Sequence, residues 1–256
     1  MSLHIETSGH GAPLLLIHGW GMHGGIWGDA AQQLARQHQV HSVDLPGHGA
    51  STPLLKHDLD HLVHALAARF DMPLTLCGWS LGGQIALRWA HLHPAQVEKL
   101  VLVATTPCFV QRADWPCALT AEVVQGFAHS MTQDHALTLK RFLALQVRGS
   151  DDERGLLQKL RVQLDSRKQP DKAALQGGLD ILRDTDLRAQ LPNVRQAALV
   201  IAGERDTLVP LAAAAYLAQA LPHARLATIA GAAHTPFLSH PQIFVEHMTS
   251  FLHERI

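Results

Sequence analysis

Three cysteines are few for a chain of 256 residues, and the shortage excludes something. Cys77, Cys108 and Cys117 are an odd number without metal-ligand spacing. Neither a disulfide framework nor a zinc module is written here, and free thiols in a reducing cytoplasm are expected. An excess of one charge is also missing: 21 Lys and Arg stand against 22 Asp and Glu, which leaves no basic footprint for nucleic acid. Long hydrophobic runs are absent too. Stretches such as Leu14-Leu15-Leu16-Ile17 are strand-length, whereas crossing a bilayer takes ~20 apolar residues. The start, Met1-Ser2-Leu3-His4-Ile5-Glu6, lacks a basic region followed by an apolar core, so no secretory signal is read. The expectation is a cytoplasmic monomer with no metal, no cofactor, no nucleic acid and no membrane among its partners.

What the chain does have is apolar material, 47% of its residues, enough for a sizeable core. It also has 19 histidines, most of them single or on polar helix faces like His57, His61 and His64, which suits surface placement better than a metal site. Short β-rich apolar runs (14–17, 40–43, 74–77, 100–103, 199–201 and 226–229) read as buried strands. Helical segments at 58–70, 84–91, 211–221 and 243–253 alternate with them. Parallel strands need crossovers, so this alternation predicts a mostly parallel sheet with helices on both faces. Between about Pro107 and Asp186 the rhythm breaks into helical segments alone (120–130, 135–147, 152–164 and 172–182). The predicted organisation is an α/β core over 1–106 and 187–256, with 107–186 inserted as a helical cap over the C-terminal edge of the sheet.

Gly78-Trp79-Ser80-Leu81-Gly82 matches G-x-S-x-G, with an apolar strand before it and a helix after it. That context makes it a nucleophile elbow, in which a strained turn lifts the serine hydroxyl above the sheet. Small residues at 78 and 82 would let backbone and neighbouring strands approach closely. A serine hydroxyl needs a base to take its proton, and the base needs an orienting carboxylate. The run Gly203-Glu204-Arg205-Asp206 follows one strand, and Ala230-Gly231-Ala232-Ala233-His234 follows the next. Asp206 is preferred over Glu204, and His234 over His240. An oxyanion hole requires the amide after the nucleophile and one from the loop after the first predicted strand. Those are Leu81 and Trp20 of Ile17-His18-Gly19-Trp20-Gly21. His18 and the turn Asp44-Leu45-Pro46-Gly47-His48-Gly49 read as scaffold.

These motifs together are typical of α/β-hydrolases. Thr106-Pro107-Cys108-Phe109, Arg141-Phe142-Leu143-Ala144-Leu145-Gln146 and Gly177-Gly178-Leu179-Asp180-Ile181-Leu182 are more specific. With them the chain resembles the pimeloyl-[acyl-carrier protein] methyl ester esterases of biotin synthesis over essentially its whole length. The resemblance implies an α/β-hydrolase fold and hydrolysis of a methyl ester on a pimeloyl chain borne by acyl-carrier protein. It implies a substrate site of Trp20, Ser80, Leu81 and His234, with Phe142, Leu143, Ala144, Leu145 and Gln146 lining the acyl pocket. From the residues alone, Phe142 and Leu145 at i and i+3 make either an apolar wall or ordinary cap core.

Between Leu137 and Lys168 eight basic residues face four acidic ones, which fits either a dock for an acidic carrier protein or a normal charged helix surface. Arg141 and Arg154 are the arginines the resemblance carries over for docking; Leu137 and Gln158 nearby are not basic. Two other readings stand beside this one. One is a broader short-acyl carboxylesterase or a C–C bond hydrolase of the same fold; the other is a non-catalytic ligand receptor on the same scaffold.

Overall fold

The computed structural model describes residues 2–254. Seven strands, β1 (Ile5–Ser8), β2 (Ala12–Ile17), β3 (His38–Val43), β4 (Leu74–Trp79), β5 (Val97–Val103), β6 (Ala197–Gly203) and β7 (Ala224–Ile229), form one sheet. Their order is β1-β3-β2-β4-β5-β6-β7. Only β1 runs antiparallel, pairing Ile5 with Val43. Every other pair is parallel, so the chain leaves the strands repeatedly at the same edge. At that edge Ile17 lies beside Gly78, Trp79 beside Val103, and Gly203 beside Ile229.

All six residues of β4 are buried, which is why it reads as an unbroken apolar run rather than an alternation. β1 is largely exposed and carries no apolar run, so periodicity does not find it. β7 corrects the expectation of a buried strand. It lies at the sheet edge with Leu226 37% exposed, and only Ile229 is fully covered.

The helices are α1 (Gly28–Leu34), α2 (Leu59–Ala67), α3 (Leu81–Leu92), α4 (Ala121–Gln133), α5 (His135–Val147), α6 (Glu153–Asp165), α7 (Lys172–Asp184), α8 (Leu211–Ala220), α9 (Pro236–Ser239) and α10 (Pro241–His253). α1 packs on α10, α2 on α3, α3 on β4 and β5, and α8 on β6 and β7. Trp20, Trp27, Trp79, Trp89, Phe237 and Phe244 are fully buried among the aliphatic residues. Each such side chain contributes roughly 1.5–3 kcal/mol by leaving water. Among the described residues no helix is long and apolar enough to cross a membrane.

The four helices α4 to α7 lie between β5 and β6. Aspartates start three of them: Asp134 accepts the amide of Leu137, Asp152 that of Gly155, and Asp171 those of Ala173 and Ala174. Such caps each hold a helix end by about 1 kcal/mol. The segment contacts the loops that leave the sheet's C-terminal edge. The Asp171 amide donates to the Gly47 carbonyl at 2.7 Å, and the His234 amide to the Gln146 carbonyl at 3.1 Å. A built Cβ on Gly21 would lie 2.4 Å from Leu139 Cδ1, so this loop also lies hard against α5.

Candidate active site

Ser80 sits between β4 and α3 with φ 55° and ψ −115°, a conformation that a non-glycine residue keeps only when its surroundings enforce it. The glycines around it show the enforcement. A Cβ at Gly78 would lie 2.2 Å from the Gly82 carbonyl oxygen, and one at Gly82 would lie 2.3 Å from that of Ile17. Both distances are impossible for real atoms, so the turn exists only with glycine at these positions. Ser80 is held further by its amide, which donates to the Val103 carbonyl at 2.9 Å.

His234 Nδ1 lies 2.7 Å from Asp206 Oδ2, with both side chains 1% exposed. The other carboxylate oxygen accepts the amides of Leu208 and Val209 at 2.9 and 3.0 Å. A carboxylate only accepts, so Nδ1 is the donor of this pair and Nε2 is the ring nitrogen turned away from Asp206. Nε2 is buried with no hydrogen-bond partner among the described residues. The ring is placed next to the elbow by Trp79, whose Nε1 donates to the His234 carbonyl at 2.8 Å and whose ring centroid is 5.7 Å away.

The rival residues are engaged elsewhere. Glu204 accepts the Gly231 amide at 3.0 Å, and His240 Nδ1 meets Ser239 Oγ at 2.9 Å. Leu81 and Trp20 both follow strand ends at this edge. Among the described residues neither amide donates a hydrogen bond. The Trp20 indole donates to the Leu175 carbonyl of α7 at 2.8 Å and takes the edge of Phe142 at a centroid distance of 4.9 Å.

His18 and Asp44 build the wall beside it. His18 Nδ1 lies 2.8 Å from the Gly19 carbonyl oxygen, and Nε2 accepts the Leu45 amide, so both nitrogens are committed to loop structure. Burial and neighbouring His48 hold its pKa well down. Burial alone would raise the pKa of Asp44. The amides of Ala50 and Gly24, with His18 and Arg167, outweigh burial and lower it. Arg167 also reaches Glu6, so it bridges the helical segment to the core. It is therefore not part of a free basic face.

The run 142–146 on α5 does not present one surface. Phe142, Leu143 and Gln146 are buried, Leu145 is partly buried and Ala144 is exposed. Thus Ala144 is set apart from the predicted pocket lining, because α5 turns it to the outside. A groove of about 390 Å³ between α4 and α5 is lined by Val123, Phe127, Ser130, Thr138, Arg141 and Leu145. The edge-to-face series Phe127–Phe142–Trp20 leads from it towards the loop that follows β2. Arg141 and Arg154 are exposed and make no ion pair among the described residues. The described residues hold no cluster of three or more His, Cys, Asp or Glu side chains suited to a metal.

The chain matches the family model described as alpha/beta hydrolase fold over residues 12–241. It is 45% identical over 244 residues to a pimeloyl-[acyl-carrier protein] methyl ester esterase of Nitrosomonas europaea, covering 95% of this chain and 97% of that protein. It is 42% identical to the protein of the same name from Chromobacterium violaceum, covering 98% of each. A solved esterase from Exiguobacterium antarcticum superposes with a TM-score of 0.90 at 24% identity, covering 98% of this chain and 96% of that one, a likeness of fold.

Proposed function

The chain belongs to the alpha/beta hydrolase fold family and, within it, to the pimeloyl-[acyl-carrier protein] methyl ester esterases, and from that premise we propose how its residues carry out the reaction. The enzyme is a serine carboxylesterase that hydrolyses the methyl ester of a pimeloyl chain borne by acyl-carrier protein, a step in biotin synthesis. The observation that carries the catalytic assignment is the buried His234–Asp206 pair, tied through Trp79 to the elbow that holds the strained Ser80.

Ser80 Oγ attacks the ester carbonyl carbon while its proton passes to His234 Nε2. The carbonyl π pair moves onto oxygen, and the amides of Leu81 and Trp20 stabilise that oxyanion. Collapse breaks the bond to the methoxy oxygen, which leaves as methanol with the proton from His234. Water then attacks the acyl-Ser80 ester, giving its proton to the same nitrogen. The second collapse returns that proton to Ser80 Oγ and frees the carboxylic acid, which loses its remaining proton to solvent to become the carboxylate. Asp206 keeps the ring oriented and stabilises the imidazolium without taking the proton.

Residues 107–186 act as the cap of a core formed by 1–106 and 187–256. Phe142 and Leu145 supply the apolar wall for the acyl chain, with Leu143 and Gln146 behind them. Arg141 and Arg154 face the acidic carrier protein. The reading places the enzyme in the cytoplasm, where free thiols such as Cys77 and Cys108 persist.

The test is hydrolysis of methyl pimeloyl-carrier protein against the free dimethyl ester, with Ser80→Ala and His234→Ala as controls. Each single change should remove nearly all turnover, because neither group works without the other. Wild-type esterase activity in Ser80→Ala would overturn the assignment. Equal use of carrier-bound and free esters would reduce the enzyme to a general carboxylesterase.

A further inference from the structure

Among the described residues, two outside glycine have positive φ: Ser80 at 55° and Ala104 at 44°. Strain at a nucleophile is expected, but Ala104 has no side chain that could take part in chemistry. Its conformation turns the chain just after β5, where its amide donates to the Ile201 carbonyl at 2.8 Å. The turn delivers the hydroxyl of the next residue, Thr105, onto the main-chain carbonyl of Ser80 at 2.7 Å. Thr105 is 1% exposed. Gly83 keeps the space for it, since a Cβ there would lie 2.5–2.6 Å from three Thr105 side-chain atoms. A strained alanine, a glycine in the first turn of α3 and a buried threonine therefore serve one hydrogen bond.

That bond is not needed to satisfy the carbonyl. The Ser80 oxygen already accepts the amides of Gly83 at 2.9 Å and Gln84 at 3.3 Å, and a carbonyl has two lone pairs. What the bond does control is the peptide it belongs to. The Ser80 carbonyl and the Leu81 N–H are opposite ends of one rigid planar unit, so fixing the oxygen fixes the direction of the N–H. A donor on the oxygen also draws electron density along the amide and makes the N–H a stronger donor.

We infer that Thr105 is a positioning residue of the oxyanion hole, orienting and polarising the Leu81 amide through the Ser80–Leu81 peptide. The inference rests on Ser80 and Leu81 acting as proposed above.

The test compares Thr105→Val, which keeps the shape and removes the hydroxyl, with Thr105→Ser, which keeps the hydroxyl. Thr105→Ala serves as a second hydroxyl-free variant with less bulk near Gly83. Each is assayed for kcat and KM on a small soluble ester, and for inhibition by a trifluoromethyl ketone. Ser80 Oγ adds to that ketone, its proton going to His234, to give a tetrahedral oxyanion. Loss of the hydroxyl should lower kcat about tenfold, the size of one neutral hydrogen bond and short of the ~10²–10³ for removing a donor outright. KM should stay unchanged, ketone affinity should fall in parallel with kcat, and Thr105→Ser should restore both. Wild-type kcat in folded Thr105→Val or Thr105→Ala, or a Thr105→Ser enzyme as impaired as Thr105→Val, would overturn the inference. Ser80→Ala separates the two levels. If it is inactive while Thr105→Val is fully active, only the role of Thr105 falls; if it is active, the reading of the site falls first.

Discussion

Gly178→Ala should separate activity from stability, because it presses on Trp20 and Leu81, the proposed oxyanion residues, from inside a helix that would itself favour alanine. Gly178 lies in the middle of α7, where replacing glycine with alanine normally gains about 1 kcal/mol. Here the new Cβ would lie 2.7 Å from Trp20 Cδ1, 3.2 Å from Nε1 and 3.3 Å from Leu81 Cδ2. The indole cannot swing away: it is 1% exposed, bonded to Leu175 and edged by Phe142. Restoring an ordinary 3.4 Å contact requires a shift of about 0.7 Å, from 3.4 minus 2.7. Overpacking of this kind costs roughly 1–3 kcal/mol, so the helix gain leaves a net loss between about zero and 2 kcal/mol. In a chain of this size that lowers Tm by no more than about 8 °C. Pressure on these side chains bears on the main-chain amides of Trp20 and Leu81, the proposed oxyanion donors, where about 1 Å of misplacement can cost ~10²-fold. Steady-state hydrolysis of a small ester should therefore show kcat down by roughly 10–100-fold, beside a modest change in thermal unfolding. A Gly178→Ala enzyme with wild-type kcat and unaltered Tm would refute the claim that α7 sets the position of Trp20.

Leu81→Pro removes the proposed oxyanion donor and should cost ~10²–10³ in turnover; a well-folded variant with near-normal rates would exclude that amide. Reversing Arg141 and Arg154 to Glu together should weaken kcat/KM for the carrier-bound ester and spare a small soluble ester. Added salt should erode the wild-type preference, because exposed charges are screened beyond about 8–10 Å. Equal losses on both substrates would assign the arginines to cap structure instead. His48 supplies a pH test: burial holds its pKa down to about 4 in the folded chain, against about 6.5 when unfolded. Between those values the unfolded chain takes up the proton, so stability should fall as pH drops from about 6.5 to about 4, by roughly 3 kcal/mol. Urea unfolding near pH 7.5 and pH 5 reads this directly, and an unchanged slope in His48→Gln would contradict it.

Features that depend on neighbours in the chain were legible without the fold. The Gly78–Gly82 turn between an apolar run and a helix marks the elbow, because the required glycines and the required context lie within a few residues. The order of Ser80, Asp206 and His234, each after a strand, follows from the same local reading, as does the span 135–147 of α5. Edge strands resisted it: β1 carries no apolar run, and β7 carries one but leaves Leu226 exposed. What separates the candidates is contact between residues far apart in the chain. Asp206 and Glu204 are two residues apart, and the choice between them rests on which oxygen reaches a ring 28 positions later. Arg167 reads as one more surface cation until Asp44, 123 residues away, is found beneath it. Trp20 is tied to α7 across 155 residues, and Thr105 reaches back 25 to the Ser80 carbonyl. Periodicity reports only which side of an element is apolar; these contacts arise when chain closure brings distant polar groups into a buried space where each must find a partner.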